Sequence, residues 1–342
     1  MKVLFVGGSG SISTECVKLA LARGIDVTIL TRAQRPVAHG VQQIIADINN
    51  PVAAAAALGD RRVDAVADFI TFTPAEMEQR IALFRGRTGQ YIFISSASVY
   101  QKPLADWLIT ESTPLANPYW EYSRNKIACE DRLVRALREE AFPATIVRPS
   151  WTYGDTVVPF AFNAWPKTFT SVARLRRGLP LIVPGDGLTL WTMTHNTDFA
   201  KGFVGLLGNQ RSIGHAFHIT SDEPLTWNQL YQAVAEAAGV STPKLVHIAS
   251  DCIGACLPEA LCGLLGDKMN CAVFDNAKIK RFVPEFTATT RFREGIARTL
   301  AWYDADPARQ QIDEGWNAAC DKLIAAYEHG LEAARVEFKG KN

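Results

Sequence analysis

The sequence predicts an α/β fold built on a doubly wound parallel sheet with helices on both of its faces. Short apolar runs of strand length alternate with segments of helical periodicity through roughly the first 150 residues, which is typical of a parallel sheet. A glycine-rich turn joins the first apolar run to the first helical segment. The chain has 342 residues, of which 48% are hydrophobic, so it can bury a large core in one or two domains.

The first thirteen residues carry the most informative pattern. Residues 2–6 form an apolar run that glycine ends, as expected of a strand buried on both faces, and residues 11–23 follow with helical spacing. Between them lie Gly7, Gly8 and Gly10. Glycines allow a tight turn and the close approach of a ligand, and a helix start offers N–H groups to a pyrophosphate. The spacing G-x-x-G-x-x-S therefore predicts a dinucleotide-binding βαβ unit, in which Gly7 and Gly10 serve the turn and the phosphate.

The end of the second predicted strand, residues 26–30, bears on which dinucleotide fits. A carboxylate at this end would hydrogen-bond the ribose 2′-OH of NAD. Thr31 stands there instead, and Arg32 and Arg35 follow. An arginine fork suits a 2′-phosphate in both geometry and charge. The sequence therefore favours NADP(H), with NAD as the alternative if the two arginines are only solvated loop charges.

Strands and helices continue to alternate after this point. Residues 43–46 are the third predicted strand, and Asp47 directly after it can accept a hydrogen bond from an adenine amino group. The later predicted elements are a helix over 51–58, a strand over 63–69, a helix over 74–84, a strand over 90–95, a helix from about 119 to 140 and a strand over 145–149. This regular alternation predicts helices on both faces of the sheet.

Composition limits the partners and the compartment. A formal net charge of +1 gives no general attraction to nucleic acid or to an acidic membrane surface, and no apolar stretch approaches the length of a membrane span. Seven cysteines, an odd number, indicate reduced thiols and a cytoplasmic protein. Cys252, Cys256, Cys262 and Cys271 match no common zinc spacing and are expected to be buried thiols, so no metal site is predicted.

Five motifs together resemble the short-chain dehydrogenase/reductase superfamily, in its extended branch, the NAD-dependent epimerase/dehydratase-like family. They are VGGSGSIS, ISSASVY with Ser96, YSRNK with Tyr122 and Lys126, RPSWTYG from Arg148 and THNTDFA from Thr194, in the family's order over residues 1–290. The resemblance implies a Rossmann-type sheet followed by a smaller C-terminal α/β substrate domain. It places the dinucleotide-binding domain over residues 1–168, with residues 190–205 returning to it, and a mainly substrate-binding domain over residues 169–342. It also implies a homodimer.

The chemistry of hydride transfer explains three of these residues. Transfer to or from a carbon that bears oxygen requires a proton to move on that oxygen. Tyr122 and Lys126 are four residues apart, hence one turn apart on one helix face, and a neighbouring ammonium lowers a tyrosine pKa from its usual value of about 10. By resemblance, Tyr122 is the general acid/base, Lys126 activates it and holds the cofactor ribose, and Ser96 orients the substrate oxygen.

The resemblance also implies the cofactor contacts. Ser11 and Ile12 are expected near the pyrophosphate, and Asp47 and Ile48 near adenine. The complete predicted cofactor-binding set is Gly7, Gly10, Ser11, Ile12, Thr31, Arg32, Arg35, Asp47, Ile48, Phe69 at the adenosine ribose, Tyr122, Lys126, and Pro149 and Trp151 at the nicotinamide.

The predicted substrate region departs from the family's best-known members. Sugar-nucleotide epimerases and dehydratases hold the substrate diphosphate with two arginines, whose positions here are Trp191 and Leu264. Loss of both charged contacts argues against a nucleotide-sugar substrate, although the basic run at residues 174–177 offers compensating charge. Aromatic side chains favour a neutral small molecule instead. The predicted substrate-binding residues are Ser96, Ser98, Trp151 and Trp191.

Three functions remain open at the level of the sequence. The first is an NAD(P)-dependent oxidoreductase that acts on a carbonyl or secondary alcohol of a small, non-nucleotide substrate. The second is a sugar or sugar-nucleotide epimerase or dehydratase with tightly held NAD. The third is a dinucleotide-sensing or RNA-binding protein on the same fold, which predicts a decayed catalytic set. Because Ser96, Tyr122 and Lys126 are all present and the net charge is near zero, the third function ranks last. The missing arginines count against the nucleotide form of the second function, so the sequence favours the first.

Overall fold

Most strands lie where the apolar runs predict them. In residues 1–339, which the computed structural model describes, the strands are β1 (Lys2–Val6), β2 (Asp26–Thr31), β3 (Gln42–Ile45), β4 (Ala65–Asp68), β5 (Tyr91–Ile94), β6 (Leu108–Ile109), β7 (Ala144–Pro149), β8 (Thr152–Tyr153), β9 (Leu181–Pro184), β10 (Leu190–Thr192), β11 (Thr194–His195), β12 (Ala216–Ile219), β13 (Pro224–Thr226), β14 (Leu245–Ile248) and β15 (Val273–Phe274). The strand predicted over residues 63–69 is shorter at both ends, and after it the Asp68 carboxylate accepts the Ile70 N–H.

The helices also follow the predicted pattern. In the same part of the chain they are α1 (Ser13–Ala22), α2 (Pro51–Leu58), α3 (Pro74–Phe84), α4 (Glu121–Glu140), α5 (Phe169–Arg176), α6 (Asn196–Leu206), α7 (Trp227–Ala237), α8 (Ser250–Cys256), α9 (Pro258–Gly263), α10 (Ala277–Phe282), α11 (Phe292–Asp304) and α12 (Glu314–Lys339). Helix α1 begins at Ser13, two residues after the start of the helical spacing, although the Thr14 N–H already donates to the Gly10 carbonyl.

Seven of the described strands form one parallel sheet, in the order β12-β7-β5-β4-β1-β2-β3. The chain runs outward from β1 to β3 and then returns to β4 on the other side of β1. The carboxyl ends of β1 and β4 therefore flank the point where the winding reverses, which is where ligands bind in open α/β sheets. The predicted α/β fold with a Rossmann-type parallel sheet is confirmed.

The period-two geometry of β1 divides the core between the two faces of the sheet. Val3 and Phe5 pack on the face covered by α1 and α6, whereas Leu4 and Val6 pack on the face covered by α3 and α4. Successive side chains of a strand point to opposite faces. A strand that is apolar at both parities therefore requires helices on both sides, as the sequence of β1 predicts.

The chain divides into two compact units. The first comprises Met1–Gly154, Thr192–Pro224 and Ala272–Thr290 and contains the seven-stranded sheet. The second comprises Asp155–Trp191, Leu225–Cys271 and Arg291–Asn342, of which residues 340–342 lie outside the described part. The first segment of the first unit ends at Gly154, and two later segments belong to the same unit. The functional division into residues 1–168 with 190–205 and residues 169–342 stays a prediction.

The second unit has its own small core. Strands β9 and β14 pair in parallel, and the buried side chains of Ile182, Leu264 and Leu323 belong to one apolar cluster. This cluster does not bury the four clustered cysteines as the sequence predicts: Cys256 is exposed, and Cys252, Cys262 and Cys271 are half-buried. The short helices α8 and α9 turn one face outward, so apolar sequence neighbours did not ensure burial.

A buried ion pair lies behind the carboxyl end of β4. Asp68 and Arg80 are both fully buried, with 3.6 Å between the Arg80 Nε and the Asp68 carboxylate. Asp68 accepts hydrogen bonds from the Thr71 hydroxyl at 2.7 Å and from the Tyr91 hydroxyl at 2.5 Å. Arg80 donates to the Thr71 hydroxyl at 3.1 Å and to the Ile48 carbonyl at 3.0 Å. This network fixes the turn that follows β4.

Replacing Arg80 with leucine should lower the free energy of unfolding by about 3–5 kcal/mol, because the buried Asp68 carboxylate would lose its ionic partner. Urea unfolding followed by circular dichroism measures the change. Lys280→Ala is the matched control, since it breaks the exposed pair with Asp222 and should change stability by less than about 1 kcal/mol. An equal loss of unfolding free energy in both variants would contradict the stabilising role of the Asp68–Arg80 pair.

Candidate active site

The glycine-rich turn follows β1 at the switch point of the sheet. Gly7 has a φ of +82°, and a Cβ at this position would lie 2.5 Å from Cγ2 of Ile70. Only glycine satisfies both constraints without strain. A Cβ at Gly10 would instead meet only the Ser13 hydroxyl, at 3.4 Å. Gly7 is therefore required by the turn and its packing, whereas the backbone at Gly10 is open to a ligand.

The entry to α1 fits an anionic group. The Ser11 hydroxyl oxygen is buried and has no hydrogen-bond partner in the structure. Helix α1 begins after Ile12 without a side-chain cap. A buried hydroxyl and uncapped N–H groups at a helix start both require acceptors, and a phosphate supplies them. The residues present therefore fit the pyrophosphate of a dinucleotide.

Asn196 braces this turn from a distant part of the chain. Its side-chain amide donates to the Ser11 carbonyl at 2.9 Å. Gly154 makes room for it, because a Cβ at Gly154 would lie 2.1 Å from the Asn196 amide nitrogen. Sequence reasoning missed this contact. The motif THNTDFA marks Asn196 as part of a pattern, but a bond across 185 positions is not visible in that pattern.

The end of β2 presents the residues predicted to select the dinucleotide. The Thr31 hydroxyl accepts the Ala33 N–H at 3.1 Å, which holds the start of the following loop. Arg32 and Arg35 are both exposed. The two arginines therefore follow a strand end that is held in place, and Thr31 rather than a carboxylate stands at that end.

The residues predicted near adenine and its ribose have different settings. Asp47 is exposed, and its carboxylate accepts the Asn49 N–H at 2.9 Å. Ile48 is buried in the core. Phe69 is half-buried and stacks on the Phe5 ring with 6.0 Å between centroids. Asp47 is therefore the most accessible of the three.

Tyr122 and Lys126 lie on α4 as their spacing predicts. Tyr122 is half-buried in the first turn, and Lys126 is 1% exposed. The Lys126 ammonium donates to the Thr71 carbonyl at 2.6 Å and to the Ile94 carbonyl at 2.8 Å. It lies 5.8 Å from the centroid of the Tyr122 ring. These bonds tie the helix to the ends of β4 and β5 and leave one N–H of the ammonium for a further acceptor.

The setting of Lys126 lowers its pKa. Burial lowers the pKa of the Lys126 ammonium to about 8, an effect that the nearby Asp68 carboxylate opposes. The rings of Phe72 and Phe93 lie 4.5 Å and 4.8 Å from the ammonium nitrogen and favour the cation. The result is a buried lysine that can exchange its proton near neutral pH.

Ser96 and Ser98 lie in the turn that follows β5. Their hydroxyl oxygens are 2.9 Å apart, and the Ser96 oxygen also accepts the Ser98 N–H at 3.2 Å. Ser98 is buried, and Ser96 is half-buried. The Ser123 hydroxyl, next to Tyr122 on α4, donates to the Ser98 oxygen at 2.7 Å. The structure thus brings Ser96, Tyr122 and Lys126 to one edge of the sheet, through contacts that the sequence did not reveal.

The remaining predicted residues lie in two places. Pro149 is buried at the end of β7, and Trp151 is half-buried just after it. In the second unit, Trp191 is 2% exposed, and its indole N–H donates to the Lys268 carbonyl at 3.1 Å. Leu264 is equally buried. The two positions where the resemblance expects arginines are therefore both apolar and both buried.

Comparison with known proteins identifies the family. The model of the NAD dependent epimerase/dehydratase family matches residues 3–220. The chain belongs to this family. The membership predicted from the five motifs is thereby confirmed, and so is the dependence of the family on a nicotinamide dinucleotide.

Two relatives of this chain are named for different functions. The chloroplast stem-loop binding protein of 41 kDa b from Arabidopsis thaliana is 28% identical over 263 residues, covering 72% of this chain and 65% of that protein. A 2'-dehydrokanamycin reductase from Streptomyces kanamyceticus is 26% identical over 245 residues, covering 70% of this chain and 67% of the reductase. The chain thus spans about two thirds of the length of both relatives.

A solved structure agrees in fold. The UDP-glucose 4-epimerase from Bifidobacterium longum, in complex with NAD+ and UDP, superimposes with a TM-score of 0.73 at 19% identity. The match covers 91% of this chain and all of that one, 100%. At this level of identity the likeness establishes the fold.

Two further features are absent from residues 1–339. No helix there is both long and apolar enough to cross a membrane. Within the same residues, no three side chains of His, Cys, Asp or Glu are grouped as they would be around a metal ion.

The lowered pKa of Lys126 should appear as a pH dependence of stability. Between pH 8 and 10.5 the unfolded chain keeps this proton and the folded protein has lost it, so stability from Lys126 rises with pH in this window. The difference in unfolding free energy, wild type minus Lys126→Met, should increase by about 1 kcal/mol per pH unit.

Urea titrations of both cofactor-free proteins from pH 7 to pH 10 measure this difference. A difference that stays flat from pH 7 to pH 10 would contradict the lowered pKa of Lys126.

Proposed function

We propose that this protein is an NADP-dependent oxidoreductase that reduces a carbonyl, or oxidises a secondary alcohol, of a small non-nucleotide substrate. The observation that carries the proposal is the arrangement around Lys126. Its ammonium is buried behind the half-buried Tyr122 and held by the carbonyls of Thr71 and Ile94. A tyrosine beside a fixed cation is suited to proton transfer at a substrate oxygen.

Each residue of the site has one role in this proposal. A nicotinamide dinucleotide held at this site would supply or accept the hydride. Tyr122 gives a proton to the substrate oxygen during reduction and takes it back during oxidation. Lys126 favours the phenolate form of Tyr122 and offers its remaining N–H to the cofactor ribose. Ser96 donates a hydrogen bond to the same substrate oxygen, which favours the charge that develops there.

The dinucleotide itself is held by the turn after β1 and by the strand ends beside it. Gly10, Ser11 and Ile12 would receive the pyrophosphate, and Pro149 and Trp151 would border the nicotinamide. Thr31 with the exposed Arg32 and Arg35 supports NADP rather than NAD, because guanidinium groups pair with a 2′-phosphate. Asp47, the exposed carboxylate after β3, accepts from the adenine amino group.

The substrate class is inferred from the two residues that stand where related enzymes hold a diphosphate with arginines. Trp191 and Leu264 are buried and carry no charge, so neither can pair with a diphosphate. The relative named as a 2'-dehydrokanamycin reductase supports a reduction on a substrate without a nucleotide. Ser96 and Trp151 are proposed to contact this neutral substrate, and Ser98 to act on it through Ser96. The part predicted for Trp191 in substrate binding stays a prediction.

A second candidate is an epimerase or dehydratase that retains NAD through every turnover. The likeness to a UDP-glucose 4-epimerase that holds NAD+ and UDP favours it. A third candidate is RNA binding, which the stem-loop binding relative favours. Mass spectrometry of the purified protein distinguishes the second candidate from the proposed function, because the second candidate requires co-purified NAD. A gel-shift assay with a stem-loop RNA tests the third candidate.

The proposal includes a cytoplasmic homodimer. All seven cysteines are free thiols, which suits a reducing compartment. The dimer is supported by the resemblance to the extended short-chain family, and light scattering of the purified protein measures it.

The cofactor preference is tested by fluorescence titration of the stripped protein. NADPH should bind at least about tenfold more tightly than NADH, because charge-assisted bonds to the 2′-phosphate add affinity. Arg32→Ala should remove most of this preference. Arg23→Ala is the control, since this exposed arginine follows α1, away from the end of β2, and should leave both affinities unchanged. Tightly retained NAD in the purified protein would favour the epimerase or dehydratase.

The role of Tyr122 is tested by following NADPH oxidation with a panel of cyclic ketones and keto-sugars. Tyr122→Phe should lower kcat by about 10²–10⁴-fold, because the transferable proton is lost. Tyr119→Phe, at an exposed tyrosine just before the helix, is the matched control and should retain full activity. Activity that survives Tyr122→Phe would exclude Tyr122 as the acid/base.

A further inference from the structure

Three serine hydroxyls form a continuous hydrogen-bonded chain beside Tyr122. Ser123 donates to Ser98 at 2.7 Å, and the Ser98 and Ser96 oxygens are 2.9 Å apart. The chain connects α4 to the turn that carries Ser96. Ser123 and Ser98 are 0% and 3% exposed, whereas Ser96 is half-buried.

The number of bonds that each hydroxyl can make determines the direction of this chain. A hydroxyl has one proton to donate and two lone pairs with which to accept. Ser123 donates its proton to the Ser98 oxygen. The proton between Ser98 and Ser96 can belong to either residue, so two arrangements are possible.

Burial decides between the two arrangements. If Ser96 donated to Ser98, the Ser98 oxygen would accept two bonds and its own proton would need another acceptor. Among residues 1–339 the structure shows no third hydroxyl, carbonyl or carboxylate partner for the Ser98 oxygen. An unsatisfied buried donor is costly, by about 1–3 kcal/mol. If Ser98 donates to Ser96 instead, every buried proton is satisfied.

The second arrangement fixes the state of Ser96. Its oxygen then accepts the Ser98 hydroxyl at 2.9 Å and the Ser98 N–H at 3.2 Å. Both lone pairs are used, and the Ser96 proton is the one group left to interact with something else. Because Ser96 is the half-buried member of the chain, that proton is available to a ligand.

We propose that Ser123 and Ser98 are positioning residues that hold Ser96 as a hydrogen-bond donor to the substrate oxygen. This inference rests on the role of Ser96 in the proposed function. Donation from Ser123 and Ser98 also polarises the Ser96 hydroxyl, since hydrogen bonds in a chain strengthen one another. Ser123 thereby couples the turn of Ser96 to the helix that carries Tyr122.

Neutron diffraction from crystals of the deuterated protein tests the direction of the chain without any substrate. The Ser98 deuteron is expected on the line towards the Ser96 oxygen, and the Ser96 deuteron is expected to point away from Ser98. A Ser96 deuteron that points at Ser98 would overturn the proposal. This result does not depend on which reaction the protein catalyses.

Kinetics test the consequence, with NADPH and the ketone that the wild-type protein reduces fastest in the panel. Ser98→Ala should lower kcat about tenfold and Ser123→Ala about threefold, the range of one neutral hydrogen bond. KM for NADPH should be unchanged in both. Ser123→Thr retains the hydroxyl and should recover most of the lost kcat.

Ser95→Ala is the matched control, because the buried Ser95 hydroxyl bonds to Glu130 and lies outside the chain. Its kcat should equal that of the wild type. Unchanged kcat in Ser98→Ala, or an equal loss in Ser95→Ala, would overturn the proposal. If the wild type reduces no ketone at all, the proposed function fails, and the neutron map alone decides the direction of the chain.

Discussion

Burial of the Lys126 ammonium is the constraint on which the site of the first unit depends. A charged amine away from water requires hydrogen-bond acceptors, and these are the carbonyls of Thr71 and Ile94. Both acceptors lie at the carboxyl ends of neighbouring parallel strands, β4 and β5. The lysine can therefore occupy this place only if helix α4 and the ends of both strands hold the positions that the structure shows.

The same requirement explains the buried network around Asp68. The turn after β4 must present the Thr71 carbonyl to Lys126, and the Thr71 side chain is held between Asp68 and Arg80. A buried ion pair contributes little net stability when compared with an apolar pair. It does fix the position of one backbone carbonyl, and that position sets the environment of the Lys126 proton.

The second unit has buried apolar side chains at the two positions where the resemblance expects arginines. Trp191 and Trp227 tilt against each other with 5.1 Å between ring centroids, and both indole N–H groups donate to the Lys268 carbonyl. The Lys268 ammonium lies 4.7 Å from the centre of the Trp191 ring. Apolar packing and satisfied indoles thus stand where the resemblance expects a charged clamp.

The sequence by itself determined the fold class, the glycine turn and the spacing of Tyr122 and Lys126. These are local properties, because strand and helix periodicity and the left-handed φ of Gly7 depend on near neighbours. Only the tertiary structure decided that Asn196 braces Ser11, that Ser123 bonds to Ser98, and that Cys256 is exposed. It alone showed the pairing of Asp68 with Arg80, although a carboxylate in an apolar strand was a signal that a partner exists. Such contacts join residues far apart in the chain, and no periodicity encodes which polar atoms will meet once the sheet has closed.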